Sequence, residues 1–105
     1  MIAAAEVSET VRKLAEFQLH GPQIVDDAFV EQVRLAHFWA TTRPGRWRLL
    51  TRGSVYGLRH KAAYEMDREL SDKAFGVAVV LAGWTLHRHW LQPTCIKLRR
   101  AKAEA

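Results

Sequence analysis

The chain has 105 residues, 49% of them apolar and 26% charged, with one cysteine and a net charge of +5. That length and balance fit one globular domain rather than a disordered chain or two domains, and a single cysteine excludes an internal disulfide. The longest uncharged run, 74–87, falls short of the roughly 20 apolar residues that cross a bilayer, and the start MIAAAEVSET lacks the order of a secretory signal, so the sequence predicts a cytoplasmic protein without a membrane partner.

In chain order, Val7, Val11, Leu14 and Phe17 or Gln18 recur at near 3.6-residue spacing and predict a first helix from about Glu6 to Leu19. Its apolar stripe offers a surface on which a homodimer could pair. Gly21-Pro22 ends it, and Pro22 can open a second helix, because a proline at the first helical position surrenders an amide that has no partner there. Val25, Phe29, Val33 and Ala36 make the apolar face of that helix, with Asp26 and Asp27 where the dipole favours negative charge, and it should reach Trp39 or Ala40. Arg43-Pro44-Gly45 is turn chemistry, and residues 46–52 read equally as a short strand or an irregular arm.

Ser54 is a fitting N-cap for a third helix carrying Val55, Leu58, Ala62 and Met66 on one face. Leu70-Ser71-Asp72 offers a second cap before the almost wholly apolar run from Lys73 to Gly83. Its valines leave a buried strand open, but the cap before it and the glycine after it favour a central helix. Trp84–His87 and Thr94–Leu98, parted by Gln92-Pro93, suggest two short extended pieces. The expected fold is mainly α: a compact bundle of about four helices over 1–98, with room for a short C-terminal β-hairpin, and 99–105 as a basic flexible tail.

Catalytic and metal chemistry finds little support. His87 and His89 stand two apart with no second pair at a ligand spacing, and Cys95 has no activating base or orienting acid near it in sequence, so a small buried thiol is the simpler reading. Glu65, Asp67, Glu69 and Asp72 straddle a predicted helix end with Arg68 among them and lack the glycine turn of a cation loop. Neither GxGxxG nor GxxxxGK occurs. The sequence predicts neither an enzyme nor a cofactor or metal.

Charge is segregated along the chain. Residues 1–31 hold six acids and two bases, 32–64 seven bases and no acid, 65–72 four acids and one base, and 73–105 six bases and one acid. A field of one sign over a surface region concentrates partners of the other sign. Arg43, Arg46, Arg48, Arg52, Arg59 and Lys61 can contact phosphates, and Trp47 and Tyr56 can stack on bases or pack the arm down. With no acid nearby in sequence, these cations are expected to stay unpaired. Helix three, an acidic turn and helix four have the outline of a helix-turn-helix. A recognition helix must offer polar groups to base edges, however, and residues 74–82 offer none, so helix four is read as a hydrophobic pillar and the 43–61 arm as the contact surface.

Tyr56-Gly57-Leu58-Arg59-His60-Lys61, Leu70-Ser71-Asp72, Phe75, Ala78, Ala82-Gly83-Trp84 and Gln92–Leu98 together resemble a pattern in small helical proteins of bacterial plasmids, integrative elements and phages. In that group a Y-G-L-K-H stretch opens a helix, a Ser-Asn-Gly turn begins the next, and an extended tail follows. Here Arg59 replaces the lysine and Ser71-Asp72-Lys73 stands at the turn; the likeness covers residues 54–98. It implies a mobile-element origin, with His60 serving the fold beside Tyr64. Two functions follow. One is a nucleic-acid-binding accessory or regulator, with DNA favoured. The other is an inhibitor or adaptor whose basic face blocks an acidic or nucleic-acid-binding host protein.

Overall fold

In the computed structural model, residues 2–42, 52–89, 91 and 95–100 are described. Among them are four helices, α1 (Ala4–Lys13), α2 (Asp27–Thr42), α3 (Val55–Met66) and α4 (Asp72–Leu81), and three strands, β1 (Arg52–Ser54), β2 (Trp84–Arg88) and β3 (Ile96–Arg100). The strands form one antiparallel sheet in the order β1-β3-β2. The mainly α expectation holds, and the C-terminal hairpin gains a third strand from the middle of the chain.

The core is organised around α4. Ala74 to Val79 are buried without interruption, the pattern of a helix covered on every side. Phe29, Val33, Ala36 and Trp39 of α2 pack against it, Val7 of α1 and Val55 and Ala62 of α3 close other sides, and Trp84, Ile96 and Leu98 supply the inner face of the sheet. The rings of Trp39 and Phe75 meet at 6.0 Å and 57°, a tilted aromatic contact. Trp39 Nε1 donates to Glu65 Oε2 at 3.0 Å, so this buried indole keeps a polar partner on α3.

Local signals set most boundaries. Ser54 Oγ accepts from the Gly57 amide at 3.0 Å and Ser71 Oγ from the Ala74 amide at 3.1 Å, each satisfying an amide that has no partner inside its helix. Gly83 follows α4 at φ +99°, a backbone that side-chain-bearing residues rarely adopt, and delivers the chain directly into β2. In β1, a Cβ on Gly53 would stand 2.7 Å from Leu58 Cδ1, so the missing side chain lets α3 fold back closely over the strand that precedes it.

Three expectations need correction. The first helix stops at Lys13; Ala15–Phe17 is a 3-10 turn ending in Gln18 at φ 51°, which brings Phe17 and Leu19 against the core. Val11 and Leu14 pack there too, so the stripe offered for a homodimer is used within the fold. The second helix opens at Asp27, not Pro22, because the Asp26 carboxylate accepts from the Phe29 amide at 2.8 Å and caps it there. Residues 18–26 instead run outside the helices, tied to the start of α4 by Lys73, whose amide donates to His20 O and whose Nζ donates to Pro22 O, both at 2.8 Å. Finally, β3 continues through Arg100, so residues 99 and 100 belong to the domain and not to a tail.

Because α4 contacts every layer, Phe75→Ala should lower stability by about 3–5 kcal/mol, whereas Ser71→Ala, which removes one cap, should cost about 1 kcal/mol. Urea unfolding should show both as lower midpoints, the first several times larger than the second.

Candidate functional site

The pleat of the sheet sorts its residues. Successive positions of a strand lie on opposite faces, and Trp84, Leu86, Ile96 and Leu98 take the core side. The other face is set by register: Arg52 stands opposite Arg99, and Arg99 opposite Thr85; Ser54 stands opposite Lys97, and Lys97 opposite His87. Two cross-strand rows result, two residues or roughly 7 Å apart. Thr85 and His87 are exposed and Lys97 is half-buried. Arg52 from the basic block thereby shares a sheet face with Lys97 and Arg99, which lie more than forty positions away in the chain. Among the described residues, no carboxylate is paired with Lys97.

The remaining cations of the sequence reading fare differently. Arg43, Arg46, Trp47 and Arg48 lie outside the described residues. Lys61 is exposed on α3. Arg59 is not unpaired: its Nε donates to Asp72 Oδ1 at 2.7 Å, with the two side chains only 18% and 17% exposed, and its Nη2 lies 3.0 Å from Nε2 of His60. The acid that pairs it comes from the start of α4, thirteen positions on, where local counting of charges does not look. Arg34, also in the basic segment, donates from Nε and Nη2 to Ile2 O at 3.1 and 3.0 Å.

Tyr56 stands on the first turn of α3, 62% exposed. The Arg59 guanidinium lies 5.3 Å from its ring centroid and the His60 ring meets it edge-on at 4.4 Å. His60 thus serves Tyr56 rather than Tyr64, which is 87% exposed. Asp72, Arg59, Tyr56 and His60 form a continuous chain of contacts that fixes the orientation of the exposed ring.

Beside that ring opens a groove of about 640 Å³ between the 3-10 turn, the β1–α3 junction and the β2–β3 hairpin. Phe17 and Arg88 also line it. The Arg88 guanidinium donates to Glu16 O and lies 5.7 Å from the Phe17 ring centroid. Val55 and Ile96, both buried, and the half-buried Cys95 contribute apolar lining. Among the described residues, no three His, Cys, Asp or Glu side chains gather as a metal site would require, and no helix is long and apolar enough to cross a membrane. His87 lies on the sheet face, while the His89 ring accepts from the Leu91 amide at 3.2 Å in the hairpin loop.

Sequence reasoning missed Thr85, His87, Lys97 and Arg99 as companions of Arg52. The alternation of Lys97 and Arg99 with Ile96 and Leu98 is visible in the sequence, but the partner strand is not. No family model, curated protein or solved structure matches the chain.

The ion pair divides the cations by role. Arg59→Ala, which strands a mostly buried carboxylate, should cost about 1.5–3 kcal/mol, and Lys61→Ala should stay within about 0.5 kcal/mol of the parent, as measured by chemical unfolding.

Proposed function

We propose that the protein is a small basic nucleic-acid-binding accessory or regulator whose contact surface is the outer face of the sheet, with DNA the favoured polymer. The observation that carries this reading is the register itself: Arg52 opposite Arg99, and Lys97 beside His87, in adjacent rows. The rows span three strands, which suits a chain of phosphates better than a single small anion.

Several features support the same reading. The basic segment holding Arg43, Arg46, Trp47 and Arg48 runs directly into β1, so it is proposed to extend the contact from the Arg52 edge. Lys61 adds an exposed cation on the helix that follows β1. Arg59 takes a different part in this proposal: it braces Tyr56 rather than binding phosphate. A helix-turn-helix mode is disfavoured, since the residues of α4 that would have to meet base edges are buried. A mobile-element origin, suggested by the likeness over 54–98, belongs to the same proposal.

Salt titration of binding tests it. If three or four phosphates are contacted, log Kd should rise with log salt with a slope of about 3, and Lys97→Ala or Arg52→Ala should each flatten that slope by about 1. Failure to bind any duplex or single strand, together with stable co-purification of one host protein, would replace this reading with the inhibitor or adaptor function.

A further inference from the structure

We infer that the groove beside Tyr56 receives an unpaired base of a single-stranded nucleic acid whose backbone lies on the basic sheet face. The inference rests on the proposed function and adds the form of the polymer. Two aromatic rings line the groove, and each carries a guanidinium: Arg59 against Tyr56, and Arg88 against Phe17. A base has two π-faces, so a ring held in place by a guanidinium offers a platform on which one base can stack. The volume, about 640 Å³, falls within the range of about 300–1,000 Å³ typical of small-ligand clefts.

The site is built before any ligand arrives. Asp72 holds Arg59, Arg59 lies on Tyr56, and His60 abuts the same ring, so little ordering is needed on binding. Ser54, His20 and Asp72 bring polar groups to the lining, which can meet the edge of a base. Ser54 also links the two surfaces: it lines the groove and stands opposite Lys97 in the sheet register. A strand lying along the row of Ser54, Lys97 and His87 therefore passes the mouth of the groove.

A paired duplex cannot use this site without extruding a base, which requires breaking its stacking and pairing. The groove thus distinguishes single strands from duplexes, whereas the sheet face alone would bind both through phosphate.

The test compares three DNA probes of equal length and at the same salt: a mixed-sequence single strand, that strand annealed to its complement, and an abasic single strand. The mixed-sequence strand should bind about tenfold or more tightly than the other two. Tyr56→Ala should reduce its affinity to that of the abasic strand. Tyr64→Ala, at an exposed position of the same helix outside the groove, should leave the preference intact. Equal affinity for all three probes, still weakened by Lys97→Ala, would overturn the groove assignment while leaving the phosphate-binding reading standing. Binding to none of them would overturn both.

Discussion

The short ladder between β1 and β3 joins the two halves of the chain that matter most. Among the described residues three pairs make it, Arg52 with Arg99, Gly53 with Leu98 and Ser54 with Lys97. Without them the basic mid-chain segment and the C-terminal hairpin would be separate surfaces. What holds so short a ladder in register is the apolar side of the sheet. Leu98 is fully buried between Gly53 and Leu86 in the central strand, and a slip of one residue would send it to the solvent side and bring Lys97 or Arg99 into the core. The hydrophobic requirement at Leu98 therefore fixes where the cations stand.

Ser54 extends that constraint into the helices. It is the last residue of β1 and the cap of α3, so the register of the sheet also fixes the start of α3 and the position of Tyr56 on its first turn. The second anchor of α3 lies on α4, through Arg59 and Asp72. A residue that sequence counting places among the free cations is thereby a strut between two helices. Its charge is largely spent inside the molecule, and its value to the surface lies in holding an aromatic ring.

How far all this can be read from the sequence depends on the range of each interaction. Caps are local, and Ser54 and Ser71 mark their helices correctly; the buried identity of α4 follows from its unbroken apolar run. At the start of α2 two local signals compete, and the aspartate that bonds a backbone amide prevails over the proline that merely tolerates lacking one. The end of α1 was set by tertiary packing of Phe17 and Leu19, which periodicity alone does not encode. The candidate site was the least legible part. Its eight sequence-selected residues all come from one contiguous stretch, whereas the sheet face joins a mid-chain strand to a C-terminal hairpin, and the partner of Arg59 sits on another helix.

Clustering in sequence and clustering in space thus answer different questions here. A run of cations without nearby acids says that no local pairing is available, but long side chains on a folded surface find partners by geometry. Arg34 and Arg59 find them, in a backbone carbonyl and a carboxylate. On the sheet the same folding does the reverse and brings positions 52 and 99 opposite one another in adjacent strands, a placement set by the apolar inner face. Burying residues such as Leu98 and Ile96 yields about 1.5–3 kcal/mol each, against at most about 1 kcal/mol for a like-charged pair at directly opposite positions. The inner face therefore decides the register, and the residues of the outer face take the positions it leaves them.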